Sequence, residues 1–178
     1  NCLKNLKRAL DDEAMAGTTL YRPDEVFDAS ETLDAVGRPL RVVYLGHSSG
    51  PGDVAVLDEA SGVLFAGGLV DGHRVPDVQD GDLSGWRDAL AALRKLPVAI
   101  IVPAHGAPSG PAAIDVELAY LTRLEARVTE LLKGGASLSE APEAAGLSEY
   151  AGWDQYDIIH RRNASIVFVR LERELLFK

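Results

Sequence analysis

The chain has 178 residues, of which 47% are hydrophobic and 25% are charged, and its formal net charge is −9 at pH 7. This length and composition suit one globular domain over residues 1–178, and they argue against intrinsic disorder and a membrane span. The acidic charge is spread along the whole sequence, which argues against nucleic-acid binding. With Cys2 as the only cysteine, neither an intrachain disulfide nor a thiolate zinc cluster can form.

The first predicted element is a helix over residues 3–15, where leucines recur at helical spacing and Gly17 follows as the end. The first residue is Asn1, and this charged amphipathic stretch follows it at once. We therefore expect that the chain was trimmed from a longer protein.

Short strands follow the opening helix. The segments LRVVYLG (40–46), DVAVLD (53–58) and GVLFAGG (62–68) are rich in β-branched or aromatic residues and are bounded by Gly, Pro or Asp, as strands are. The run VAIIVP (98–103) is unbroken and apolar, which is typical of a strand buried on both faces. Alternation of these strands with helices predicts a layered α/β fold.

Helical signals mark four further segments. The first spans residues 82–97, with Asp82 as its N-cap and Pro97 at its end. The longest begins at Pro111 and ends at Lys133 before two glycines, and Ser137 with Glu140 forms a capping-box pattern for a short helix. The final stretch, 163–177, contains the strand-like IVFV and the helix-like LERELL; we favour a helix.

Two histidines follow predicted strands in glycine-rich turns: His47 in YLGHSSGPGD and His105 in IIVPAHGAPSG. Ligands and metals collect beyond the carboxyl ends of strands in layered α/β proteins, because the loops there can vary while the strands fix their bases. Each histidine alone is more often a surface or locally hydrogen-bonded residue. Two are also too few for a zinc site, which usually has three protein ligands or more.

The order of these segments resembles the second half of the metallo-β-lactamase superfamily. The run GHSSGPGDVAVLDEASGVLFAGGLV, followed by a helix and VAIIVPAHG, is similar to that family's histidine turn, its "LFAGD" phrase and its final "PxHG" strand. The later segments RVPDVQDGDLSGW, PAAID, AGWDQY and HRRN resemble the quinoprotein relay system zinc metallohydrolases. The resemblance implies an αββα sandwich that is incomplete here, with its N-terminal half missing, and a periplasmic location; the sequence itself leaves the compartment unknown.

The resemblance also implies roles for individual residues. His47 matches a histidine of the family's first metal site and His105 the histidine of its second, and neutral imidazoles bind divalent ions well. The family's bridging carboxylate would fall at Gly68, and its main cluster, His-x-His-x-Asp-His, is absent from these residues. We therefore expect zinc in the intact protein and little or none in this segment.

Three other polar residues have plainer interpretations. Asp53 follows His47 closely enough to hold the turn in shape by binding its backbone amides, with or without a metal. Asp71 could replace the carboxylate missing at Gly68, although a turn aspartate is more often a local cap. His73 is interpreted as an exposed loop residue or a substrate contact, and His160 as a packing residue.

Three hypotheses follow for function. The first is an enzyme: in the intact protein, a zinc ion held partly by His47 and His105 activates water to hydrolyse an ester, thioester or amide of a small molecule. The second is a non-catalytic binding or accessory module on a decayed metal fold, indicated by Gly68. The third is a fragment that needs a partner copy, and we expect a homodimer through the exposed sheet. The sequence identifies no catalytic residue.

Overall fold

A computed structural model describes residues 14–177, except positions 20, 22, 25, 35 and 36. The predicted opening helix lies mostly outside these residues. The strands form one five-stranded sheet in the order β1-β2-β3-β4-β5. Their bounds are β1 Glu31–Leu33, β2 Leu40–Tyr44, β3 Val54–Asp58, β4 Val63–Gly67 and β5 Ile100–Pro103.

Strand direction decides which loops share an edge of the sheet. The strands β1 to β4 pair antiparallel in sequence, and β5 pairs parallel with β4. Tyr44 at the end of β2 therefore faces Val54 at the start of β3, and Gly67 at the end of β4 faces Pro103 at the end of β5. One edge of the sheet, called here the site edge, thus carries the loops after β2, β4 and β5.

Four α-helices follow the first four strands. They are α1 Leu83–Leu93, α2 Ala112–Lys133, α3 Ala141–Ala144 and α4 Arg161–Leu176, and a π-helical turn, Tyr156–His160, leads into α4. The predicted cap of α1 is confirmed, since the Asp82 carboxylate accepts a hydrogen bond from the amide of Gly85. Among the described residues, no helix is both long enough and apolar enough to cross a membrane.

The helices cover one face of the sheet. Leu57, Leu64 and Ile101 lie side by side on neighbouring strands and are fully buried in one core with residues of α1, α2 and α4. Burial of these large side chains is the main source of stability for the layer, at about 1.5–3 kcal/mol for each. This packing against the helices therefore fixes the strands whose loops form the site edge.

The opposite face of the sheet, called here the bare face, is only partly covered by the described residues. Val56, Phe65 and Val102 form one row across it, and Phe65 is 51% exposed. The prediction that VAIIVP is buried on both faces was wrong, because Ile100 is 45% exposed and only Ile101 is fully buried. The apolar run reflects a strand with two apolar faces, of which the described residues cover one.

The structure also tests two helix predictions, for residues 163–177 and for the capping box at Ser137 and Glu140. Residues 163–177 lie almost entirely in α4, so the strand alternative for IVFV was wrong; Val167 and Phe168 of that run are buried against the core. Glu140 accepts a hydrogen bond from the backbone amide of Ser137, as a capping box requires, although α3 begins only at Ala141.

Candidate functional site

The candidate residues lie in loops along the site edge. His47 follows β2, Asp53 directly precedes β3, Gly68 directly follows β4 and His105 follows β5. Asp71 lies three residues beyond Gly68, in the segment that runs from β4 to α1. The sheet therefore gathers all five residues at one edge, although β3 and β4 lie between the strands that carry the two histidines.

His105 is oriented by a buried carboxylate. Its Nδ1 lies 2.8 Å from Oδ1 of Asp71, and the Asp71 side chain is 9% exposed while that of His105 is 54% exposed. Because an ionised carboxylate only accepts hydrogen bonds, Nδ1 is the donor, and Nε2 keeps its lone pair directed away from Asp71. Metal-binding histidines are commonly fixed in this way. Asp71 thus contacts His105 and acts on it, whereas the sequence suggested a local cap or a replacement ligand.

Glu117 of α2 lies behind Asp71. Its side chain is fully buried, its Oε2 accepts a hydrogen bond from the Asp71 amide at 3.3 Å, and its Oε1 has no hydrogen-bond partner among the described residues. Burial raises the pKa of Glu117 well above its usual range, and the nearby Asp71 carboxylate raises it further. Burial also raises the pKa of Asp71, while the hydrogen bond from His105 opposes that shift. A neutral Glu117 avoids burying two adjacent negative charges.

His47 is oriented by the backbone instead. Its Nε2 lies 2.7 Å from the carbonyl oxygen of Asp80, and its side chain is exposed. A carbonyl oxygen only accepts, so Nε2 is the donor and Nδ1 keeps its lone pair free. Each histidine therefore has one ring nitrogen fixed by an oxygen and the other available to a ligand.

Both histidine turns rest on the same segment, residues 68–82, which is called here the connection. At its near end, the Gly72 amide donates to the His105 carbonyl at 2.8 Å. Gly106 has a φ of +91°, and a Cβ there would lie under 3.0 Å from the Gly72 carbonyl oxygen. Only glycine fits this approach of two backbones. The His105 turn is therefore packed directly against the start of the connection.

The far end of the connection holds the His47 turn. The Asp82 amide donates to the Ser48 carbonyl at 2.8 Å, and Asp80 holds the imidazole. Beyond the connection, a Cβ at Gly85 would lie under 3.0 Å from the His47 carbonyl oxygen. The His47 turn thus lies against the first turn of α1.

Helix α4 fixes the middle of the connection. The Asn163 side chain is fully buried; it accepts from the Val78 amide at 3.2 Å and donates to the Pro76 carbonyl at 2.6 Å. The Arg170 guanidinium donates to the carbonyls of Gln79 and Gly81 at 2.8 and 2.9 Å. The C-terminal helix therefore determines the path of the segment that both histidine turns contact.

Asp53 contacts the turn through a side chain. Within the part of the chain that the structure describes, its carboxylate accepts a hydrogen bond from the Ser49 hydroxyl, whereas the sequence predicted bonds to backbone amides. A Cβ at Gly68 would lie 3.3 Å from Oγ of Ser49 and 3.8 Å from Oδ2 of Asp53. The Asp53 carboxylate therefore lies beside the position where the resemblance placed a bridging carboxylate.

The two remaining histidines lie away from these contacts. His160 is buried: Nε2 donates to the Ala145 carbonyl at 3.1 Å and Nδ1 accepts from the Tyr120 hydroxyl at 2.9 Å. This agrees with its interpretation as a packing residue, and burial lowers its pKa. His73 is exposed at the near end of the connection, with its ring 6.0 Å from the Trp153 ring in an edge-on arrangement.

The described residues do not form a complete zinc site. No group of three or more His, Cys, Asp or Glu side chains among them is placed to hold a metal ion. His47 and His105 each have a free nitrogen, but a zinc site needs further ligands at the same point.

Sequence reasoning missed Glu117 and Asp80. Glu117 could have been found, because it lies three residues after Ile114 and four before Leu121, on the predicted inward face of α2. A carboxylate at such a position is unusual and indicates a partner or a raised pKa. Asp80 offered no signal, because its backbone carbonyl makes the contact and any residue could supply that group.

Comparison with known proteins bears on the family and the fold of the chain. The family model described as "Metallo-beta-lactamase superfamily" matches residues 4–105. The chain is 34% identical over 106 residues to an atrochrysone carboxyl ACP thioesterase of Aspergillus fumigatus, covering 58% of this chain and 24% of that protein. The chain therefore spans about a quarter of the length of this curated relative.

Two solved structures share the fold. A metallo-beta-lactamase from Pontibacter korlensis superposes with a TM-score of 0.53 at 22% identity, over 67% of this chain and 62% of that one. Metallo-beta-lactamase IND-7 superposes with a TM-score of 0.51 at 20% identity, over 57% of this chain and 49% of that one. At these identities the likeness extends to the fold alone, a mixed α/β arrangement around the five-stranded sheet.

Proposed function

Because the chain belongs to the metallo-β-lactamase superfamily, we propose that the whole protein is a zinc-dependent hydrolase in which His47 and His105 are two of the metal ligands. The hydrogen bond between His105 and Asp71, 2.8 Å long, is the observation that carries this proposal. A buried carboxylate is costly, and here it contacts an exposed imidazole and fixes its tautomer. Zinc in such enzymes polarises a carbonyl group and lowers the pKa of water.

The chain's own residues orient these ligands. Asp71 keeps the proton of His105 on Nδ1. The unprotonated Nε2 can therefore bind a metal ion through its lone pair. The Asp80 carbonyl keeps the proton of His47 on Nε2 and leaves Nδ1 free. The remaining ligands would come from residues outside those described, in line with our proposal that residues 1–178 are one domain forming the C-terminal portion of a larger fold. Asp53 would support the His47 turn through Ser49.

A carboxylic ester or thioester is the proposed substrate class. The thioesterase relative is a hydrolase of an acyl thioester by its name, and its 34% identity exceeds that of the two solved structures. The narrower kinship with quinoprotein relay system metallohydrolases is part of this proposal, on the segments RVPDVQDGDLSGW and AGWDQY. We propose a small molecule as the substrate. A negatively charged polymer would be repelled by a chain whose net charge is −9.

Zinc content in the full-length protein tests the proposal. We expect bound zinc, and we expect His105→Ala and His47→Ala each to lower its stoichiometry, as measured by elemental analysis after dialysis. His73→Ala is the matched control for zinc content, because His73 is an exposed histidine of the same edge whose ring has no carboxylate partner among the described residues. A full-length protein that contains no zinc and cannot be loaded with it would rule out the proposal.

A non-catalytic module on the same fold is the second candidate, favoured by Gly68. Glycine supplies no carboxylate at that position, and the space that a side chain of residue 68 would enter is next to Ser49 and Asp53. This candidate predicts full-length protein that folds without zinc and hydrolyses neither esters nor thioesters. Measured hydrolysis that disappears with a chelator would exclude it.

We also propose that this segment forms a homodimer through the bare face of its sheet. The row Val56, Phe65 and Val102 is apolar, with Phe65 51% exposed and the two valines half-buried, and such faces are commonly covered in solution. Phe65→Glu should convert the dimer into a monomer in light scattering, because it would bury a charge in the interface. Leu138→Glu, which changes an exposed leucine on the helical side, should leave the dimer intact. A monodisperse wild-type monomer contradicts the proposal.

A further inference from the structure

Asp71, the residue that orients His105, borders a cavity. The cavity has a volume of about 380 Å³ and is lined mainly by small residues of the loop after β5 and of the start of α2. Close packing normally restricts a buried side chain to one position, and on the cavity side Asp71 lacks that restriction. Hydrogen bonds therefore decide where its carboxylate lies.

The backbone at Asp71 is held from two sides. On one side, the Gly72 amide donates to the His105 carbonyl at 2.8 Å. On the other side, the Asp71 amide donates to Oε2 of Glu117 at 3.3 Å. The segment that carries Asp71 is thus fixed to the His105 turn by backbone atoms and to α2 by a side chain.

Glu117 is a costly residue at this position. Its side chain is fully buried, and its Oε1 has no hydrogen-bond partner among the described residues. Burial and the nearby Asp71 carboxylate raise the pKa of Glu117, so Oε2 serves as an acceptor on a neutral carboxyl group. An apolar residue of similar volume would fill the same space without this cost. What such a residue would lack is the hydrogen bond to the Asp71 amide.

We propose that Glu117 is a positioning residue of the site: its carboxyl group holds the Asp71 backbone, and Asp71 holds the imidazole of His105. The inference rests on the proposed function, in which His105 is a metal ligand, and it gives α2 a role in orienting that ligand. Two hydrogen bonds in series, of 3.3 Å and 2.8 Å, join Glu117 to His105 through Asp71. Glu117 thus acts by keeping the Asp71 carboxylate at Nδ1, which leaves Nε2 free.

Glu117→Leu tests this role, because leucine keeps most of the buried volume and removes the acceptor. A buried amide without an acceptor disfavours its local conformation by about tenfold, so Asp71 should leave Nδ1 of His105 for part of the time. In metal-free full-length protein at about pH 9, where unpaired histidines are neutral, the ¹⁵N NMR signals of the two His105 ring nitrogens should then move toward each other. The His47 signals should stay in place, since the Asp80 carbonyl holds that ring.

Two further variants separate positioning from stability. Glu117→Gln keeps an acceptor for the Asp71 amide and should leave the His105 signals as they are in the wild type. Leu124→Ala opens a cavity at another fully buried position of α2, so it should lower stability without changing these signals. The inference is overturned if Glu117→Leu leaves the His105 signals unchanged, or if either of the other variants changes them as much.

The wild type also offers a measurement that needs no variant. If Glu117→Leu does not fold, Glu117→Met takes its place, and hydrogen exchange is measured at the Asp71 amide of the wild type. This amide should exchange slowly with solvent, because it donates to a buried carboxyl group. Exchange as fast as that of an exposed loop amide would contradict the contact on which the inference depends.

Zinc affinity separates this inference from the proposed function. Glu117→Leu should weaken zinc binding by the full-length protein about fivefold, less than the loss of about 10- to 100-fold for a direct partner of a ligand histidine. If the wild type binds no zinc while Glu117→Leu still changes the His105 signals, the proposed function fails and the orienting role of Glu117 stands. If the wild type binds zinc while Glu117→Leu keeps the wild-type signals and affinity, only this inference fails.

Discussion

The two histidine turns of the site edge fix opposite tautomers of their imidazoles, with the proton on Nδ1 of His105 and on Nε2 of His47. The His105 imidazole is fixed by the Asp71 carboxylate, a buried side chain, whereas the His47 imidazole is fixed by the Asp80 backbone carbonyl. In both turns one ring nitrogen donates and the other is free. The comparison teaches that an oriented histidine has two possible origins, of which only the side-chain origin leaves a trace in the sequence.

The two turns also differ in what surrounds them. Asp71 is nearly buried and lies against the fully buried Glu117, so the His105 turn depends on the protonation of neighbouring groups. The His47 imidazole is held by the backbone carbonyl of Asp80, an exposed residue. Substitutions and pH should therefore affect the His105 turn more strongly than the His47 turn.

The largest expected effect comes from the backbone contact beneath the His105 turn. Gly106→Ala should lower the free energy of unfolding by about 3 kcal/mol, because alanine is strained at a φ of +91° and its Cβ would collide with the Gly72 carbonyl. Gly85→Ala, which lies against the His47 turn at an ordinary φ, should cost less. Urea denaturation measures both changes.

Gly52→Ala is the control for these glycine variants, since a Cβ there meets nothing within 4 Å. Its free energy of unfolding should match that of the wild type within about 0.5 kcal/mol. A Gly106→Ala variant as stable as Gly52→Ala would contradict the close contact between the backbones of Gly106 and Gly72.

A smaller effect should separate the two orienting oxygens. Asp71→Asn should weaken zinc binding by the full-length protein by about 10- to 100-fold, because an amide oxygen holds the His105 N–H less strongly than a carboxylate. Asp80→Asn should leave zinc binding unchanged, because the backbone carbonyl of residue 80 is retained. Competition with a chromogenic chelator measures both affinities, and equal losses in the two variants would contradict the contrast between the turns.

The smallest effect is a pH dependence at Glu117. The folded protein raises the pKa of this carboxyl, so it favours the neutral form, and wild-type stability falls as pH rises from the usual range of a glutamate through the raised value. Glu117→Gln has no charge to bury and keeps an acceptor for the Asp71 amide. The variant should therefore gain on the wild type with rising pH, by on the order of 1 kcal/mol.

Thermal unfolding of both proteins between about pH 3.5 and about pH 8 measures this gain. The two proteins should have nearly the same stability at the acid end, where Glu117 is neutral. A constant difference across the whole range would show that folding does not raise the pKa of Glu117.

Much of the fold could be predicted from local patterns. The strands β2 to β5 and the helices α1, α2 and α4 follow from hydrophobic period, capping residues and glycine or proline ends. Strand β1 was missed, because three residues with two exposed side chains carry no such pattern. The burial of Ile100 was overestimated, because covering the second face of a sheet depends on packing partners that the strand's own sequence does not identify.

The candidate site was predictable in its positions but not in its contacts. The histidines and Asp53 could be placed after or before strands, and the antiparallel and parallel pairings then bring them to one edge. The partner of His105 lies 34 residues away in sequence, and Glu117 lies 46 residues from Asp71. Such pairings depend on how the connection packs against α2, and neither local sequence contains that information.

The geometry of the site depends on α4, which lies well past the residues that match the superfamily, because α4 binds the connection. Residues 161–176 lie wholly beyond position 105, yet Asn163 and Arg170 bind the segment that spaces the two histidine turns. Truncation before α4 would remove none of the candidate ligands and would still free the connection to change its path. The C-terminal helix is thus a clamp on the separation of the two turns, so an engineered shorter version of this protein must retain it.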